Sequence, residues 1–136
     1  MGLVEAIAAV RAGVGDAAVL VGEFRRTPLL LPVTDGGFMA ADSGGIRWLY
    51  AFTGEDALAR FAVARGEVPG GEGEFVAVLG ARLVDGVIPE LGVPAGVAVD
   101  VADEDGSMLF PPVSGIVPEA VAVDVDAEHG GGELHG

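Results

Sequence analysis

Apolar and polar positions alternate in two different rhythms along this chain. Leu3, Ile7, Val10 and Val14 recur at helical spacing before Gly13 and Gly15 break the pattern, which predicts a helix over about 3–13. AAVLVGEF (17–24) and PLLLPV (28–33) are short continuous apolar runs of the β type, separated by the charged stretch around Arg25 and Arg26. Thr34-Asp35-Gly36-Gly37 carries turn chemistry, so FMAAD (38–42) is expected to return as a strand. Ser43-Gly44-Gly45 turns the chain again into IRWLYAF (46–52), where period-two alternation puts Ile46, Trp48, Tyr50 and Phe52 on one face.

The second half shifts toward helix. Thr53-Gly54-Glu55-Asp56 has the spacing of a capping box, with Asp56 and Arg60 as an i,i+4 pair, Leu58, Phe61 and Ala62 as the buried stripe, and Gly66 as the stop. EVPGGEGE (67–74) reads as a loop. Leu79, Leu83, Val87 and Leu91 step by four and predict a third helix, kinked or ended near Ile88 by Pro89. Its start is open, because FVAVL (75–79) also suits a strand. GVAVDVA (96–102) alternates as a strand, DEDG turns, and SMLFP (107–111) pairs back. EAVAVDV (119–125) fits either a short strand or a terminal helix. The expected fold is α+β: a mixed or largely antiparallel sheet with about three helices packed on it. Residues 1–125 form one domain in this reading, and 126–136 a flexible acidic, glycine-rich tail.

Composition narrows the functional classes. The 136 residues are 51% hydrophobic, enough to build one core, and no apolar run is long or unbroken enough to span a bilayer. The N-terminal segment has Glu5 and Arg11 within its apolar part and no basic leader, so a cytoplasmic location is expected. Cysteine and lysine are absent, which removes thiol nucleophiles, Schiff-base chemistry and P-loop phosphate binding. Net charge is −14, and all seven arginines lie at or before Arg82. Phosphate backbones need cations, so nucleic acid is not an expected partner; a basic protein suits the charge better.

Candidate chemistry is sparse. Asp42-Ser43-Gly44-Gly45 echoes the sequence around the nucleophile of trypsin-like proteases, yet the only histidines, His129 and His135, fall in the tail. Without a positioned base the serine stays inert, and the stretch reads as a turn. VADEDGSMLFPP (101–112) resembles a calcium loop, but Val101 and Pro112 replace its first and last carboxylate ligands. Glu23 beside Arg25 and Arg26 reads as a strand-end ion pair. No catalytic, cofactor-binding or metal-binding set emerges, and no cofactor is expected. Arg47, Trp48 and Tyr50 are the candidate partner-binding residues, because Trp, Tyr and Arg dominate interface hot spots. The competing reading places Trp48 and Tyr50 in the core.

LLLPVTDGGFMAADSGGIRWLYAFTGEDALARFA (29–62) and VLGARLVDGVIPELGVPAGVAVDVADEDGSMLFPP (78–112) together resemble the SseB N-terminal-domain-like proteins of actinobacteria. The markers are the strand Trp48–Phe52 running into the helix after Thr53, and the late strand ending in Asp103–Gly106. The resemblance implies an α+β fold in a group without an established enzymatic activity, and it carries over no catalytic residues.

The leading expectation is therefore a non-enzymatic protein-binding domain. Alternatives are a small-molecule binder or enzyme with a pocket on the sheet near Asp42, Ser43 and Arg47, and an immunity-type protein whose acidic face blocks a basic toxin. Homodimerisation through an edge strand such as 96–101 is a further option.

Overall fold

A computed structural model of the chain describes residues 1–66 and 74–124. The fold is α+β. Helices α1 (Leu3–Arg11) and α2 (Ala17–Arg26) lead into strands β1 (Pro28–Thr34), β2 (Gly37–Phe38), β3 (Ala40–Ser43) and β4 (Ile46–Ala51). Helix α3 (Glu55–Ala64), strand β5 (Glu74–Leu79), an irregular helix α4 over 80–90, and strands β6 (Ala95–Val99) and β7 (Met108–Phe110) follow. The expected tail 126–136, its two histidines and most of the loop 67–74 lie outside the described residues.

Two sheets run in the orders β2-β1-β5 and β3-β4-β6-β7. All pairings are antiparallel except β4 with β6, which are parallel with Trp48 opposite Gly96 and Tyr50 opposite Ala98. The sheets are stitched where Leu30 and Phe52 exchange backbone hydrogen bonds of 2.8 and 2.9 Å. Both tight hairpins have the turn chemistry the sequence suggests. Asp35-Gly36 and Gly44-Gly45 all have positive φ, the geometry that matches strand twist in a two-residue hairpin. Ser43 is thus the last residue of β3 at a turn.

Residues 17–24 are a helix, not a strand. Asp16 decides it: its carboxylate accepts hydrogen bonds from the N–H groups of Ala18 (2.7 Å) and Val19 (3.1 Å), satisfying two donors of the first turn. Leu20 and Phe24, four residues apart, then face the core. Glu23 consequently pairs with Arg26 along one helix, at 2.8 Å, while Arg25 reaches Asp85. Among the described residues there are four helices, one more than the sequence suggests, and the α+β class stands.

The region 74–90 resolves into a strand and a helix. Leu79 is the last residue of β5, and α4 begins at Gly80. Its middle, Leu83–Val87, is π-helical, with Ile88 N–H donating to Leu83 O. Pro89 has no N–H to donate and its ring crowds the preceding turn, so the widened turn accommodates it without ending the helix. Strand β6 lies between β4 and β7, so the segment 96–101 offers no free edge for dimerisation. In the segment 119–125, Glu119–Val121 is a 3₁₀ turn and residues 123 and 124 are helical, so its described part is not a strand.

The main core joins Leu3 and Ile7 of α1, Leu20 and Phe24 of α2, Leu83, Val84 and Ile88 of α4, and the inner sheet residues Leu29, Leu31, Leu49, Ala51, Val97, Val99 and Phe110. Phe24 and Phe110 stack with centroids 4.3 Å apart. Phe52, Ala57 of α3 and Ala98 are also buried but stand outside that cluster, and Phe52 packs against Phe61 of α3. No described helix is long and apolar enough to cross a membrane.

Candidate functional site

Alternation along β4 divides the residues singled out from sequence. Leu49 and Ala51 enter the main core, and Arg47 shares their side of the pleat. Trp48 and Tyr50 point to the other side, half-buried. The three candidates therefore do not form one patch.

Arg47 lies at the start of β4 opposite Asp42 of β3, and the two make a bidentate pair at 2.9 and 3.3 Å. The guanidinium holds the Asp42 carboxyl below its ordinary range, and both groups are exposed. They border a shallow open groove of about 380 Å³ lined also by Thr34, Phe38, Met39 and Ala40. Ser43 does not line it.

On the opposite face, strand register builds a more apolar surface. One row across the sheet reads Ala41, Trp48, Gly96; the next reads Tyr50, Ala98, Leu109. A Cβ on Gly96 would sit 2.8 Å from the Trp48 ring and 2.6 Å from Phe110 O, so the indole lies directly on the glycine backbone. Tyr50 meets Phe61 of α3 edge-on at 5.3 Å, and Phe52 meets the same ring at 5.0 Å. Helix α3 thus covers the Tyr50–Phe52 end. Beyond that contact Leu109 is 56% exposed and Ala41 is exposed. Leu109 was not legible as a site residue, because its place beside Tyr50 and Trp48 depends on the register of three strands.

The rim of this face is held by a polar joint at the carboxyl ends of the parallel strands. Asp100, only 3% exposed, follows β6 with φ 52°. One carboxylate oxygen accepts the Thr53 N–H at 2.8 Å and the other accepts the Thr53 hydroxyl at 2.7 Å. That hydroxyl is therefore engaged across the sheet and does not cap α3, whose N-cap is Gly54 without a side-chain bond. Burial pushes the Asp100 carboxyl up from its ordinary range, and the Thr53 hydrogen bonds oppose the shift. Arg60 does not pair with Asp56; it makes a bidentate bridge to Asp103 at 2.6 and 2.8 Å, which holds that carboxyl low. The loop across Asp103 is tethered further by Arg11, which donates to Glu104 O and Ser107 O.

All these polar groups satisfy one another. Among the described residues no three His, Asp or Glu side chains gather closely enough to hold a metal ion. Asp103, the third position of the calcium-like stretch, is occupied by Arg60. Comparison of the chain with protein-family models, with curated proteins and with solved structures finds no match.

Proposed function

We propose that this chain is a non-enzymatic protein-binding domain that receives its partner on the open face around Trp48. The observation that carries the reading is the apolar platform of Trp48, Tyr50 and Leu109, of which α3 covers only one end. Large aromatic and aliphatic groups on a rigid sheet lose little conformational entropy on contact, which is what an interface centre requires. The net charge of −14 favours a basic partner, attracted over distance and seated by apolar contact. The resemblance to SseB-like domains, resting on the residues alone, is consistent with a cytoplasmic interaction role of this kind.

The test is a paired affinity capture from native-host lysate with wild-type and Leu109→Ser chains as bait, washed at low and high salt. One stoichiometric basic protein, retained by wild type and lost by Leu109→Ser, is the expected result. Equal retention by both baits would refute this surface.

A second reading has its own observation, the groove beside Asp42 and Arg47. A polar metabolite there would have to separate that ion pair, and Arg47→Ala would abolish any ligand-induced rise in Tm. A metabolite library that leaves Tm unmoved would remove this reading.

A further inference from the structure

Four sheet edges are available among the described strands, and they are not equivalent. Strand β2 is only two residues long. Strand β3 is four residues long and carries the Asp42 charge. Strand β7 is three residues long and runs straight into Pro111 and Pro112. Short length, charge and proline are the usual devices that keep an edge from pairing with another chain. Strand β5 has none of them beyond its first residue. It is six residues long, pairs on one side only, with β1, and reads Glu74-Phe75-Val76-Ala77-Val78-Leu79. Phe75, Val76 and Leu79 are 41, 43 and 47% exposed, so apolar side chains are open on both faces of the strand.

We infer that β5 is a self-association edge: two copies of the chain pair β5 with β5 antiparallel about a two-fold axis at Ala77, joining two three-stranded sheets into one of six. This surface is separate from the Trp48 face. The choice of a second copy as occupant rests on charge. Most of the molecule is acidic and repels its own kind, but Phe75–Leu79 is uncharged. The charges that flank it are opposite: Glu74 at the start and Arg82 two residues past Gly80. Both are exposed, and among the described residues neither forms an ion pair.

A two-fold axis at Ala77 sets Phe75 against Leu79 and Val76 against Val78 of the other copy. Glu74 then falls opposite Gly80, beside the other copy's Arg82, and the pair forms twice by symmetry. The two Glu74 carboxylates are about 20 Å apart along the strands, beyond the Debye length of ~8 Å at physiological salt. The smallest side chain of the strand sits on the axis, where the two backbones face each other. A single strand pairing buries less than the roughly 800 Å² per partner of a standard interface, so the dimer is concentration-dependent.

Light scattering of the full chain from about 1 μM to about 1 mM tests this. The expected result is a mass rising from monomer to dimer, abolished by Val76→Lys. Because the native chain lacks cysteine, Ala77→Cys provides a second readout that leaves the strand intact. Opposed antiparallel positions bring the Cα atoms to about 4.5–5.5 Å, within disulfide reach, so Ala77→Cys should cross-link under mild oxidation while Ala41→Cys on β3 should not. Glu74→Arg should weaken the dimer, and Glu74→Arg combined with Arg82→Glu should restore it. A monomer at every concentration would overturn the inference. So would a dimer indifferent to Val76→Lys, or one in which Ala77→Cys fails to cross-link.

Discussion

The two faces of the four-stranded sheet are made by the same strands and the same alternation, yet they end in different environments. On one, Leu49, Ala51, Val97, Val99 and Phe110 are sealed by α1, α2 and α4 and exclude water. On the other, α3 meets Tyr50 and Phe52 through Phe61, while Ala98 is buried, Trp48 is half-buried and Leu109 is exposed. The closed face specifies the fold, because removal of any side chain there leaves a cavity. The open face, less covered, contributes less to stability, and it is the face proposed to receive the partner.

Substitutions separate the two roles. Phe110→Ala, on the closed face, removes the partner of Phe24 and should cost about 3–5 kcal/mol in urea denaturation. Loss of less than half of that would mean the core collapses around the gap and the closed face is less rigid than its packing suggests.

The joint between the faces comes next. Asp100→Ala strands the Thr53 N–H and hydroxyl and puts alanine in a left-handed conformation, at a cost of about 2–4 kcal/mol. Asp100→Asn keeps an acceptor and tolerates the same φ, so it should be close to neutral. The two carboxylates here respond oppositely to pH. Asp100 is raised by burial, so its contribution is most favourable below the unfolded carboxylate pKa and is lost as pH rises through the folded value. Asp103 is held low by Arg60, so its contribution is present above the unfolded pKa and is lost as pH falls through the folded value. Stability measured against pH should lose the first of these trends in Asp100→Asn and the second in Asp103→Asn. An unchanged pH profile in both variants would discredit the joint as described.

Smaller effects are expected on the open face. Gly96→Ala drives a methyl against the Trp48 ring and should cost about 1–3 kcal/mol. Trp48 is the only tryptophan, so displacement of its ring should shift the emission maximum directly. Leu109→Ser should stay within about 0.5 kcal/mol of wild type, while capture of the partner is lost. A destabilisation as large as that of Phe110→Ala would move Leu109 into the core and erase the distinction between faces.

Local rules made much of this legible. The helix over 3–11, both glycine hairpins and the strand Ile46–Ala51 follow from periodicity and turn chemistry. Residues 17–24 misled because AAVLV is apolar at successive positions and fits either period; the deciding group, Asp16, lies one residue before the run. The partners of Thr53 and Arg60 were misjudged for a different reason. Local spacing offered each a neighbour in its own helix, while the fold supplied a better one 47 and 43 residues away. The candidate site was half visible. Trp48 and Tyr50 share a face by alternation alone, but Arg47 leaves that face by the same rule. Leu109 joins it only through pairing between distant strands.

Acrylamide quenching of Trp48, in the free chain and with the captured partner bound, tests the open face most directly. The indole should be readily quenched in the free chain and shielded, with blue-shifted emission, in the complex. Quenching unchanged by a bound partner would place the contact elsewhere and contradict the assignment of this face.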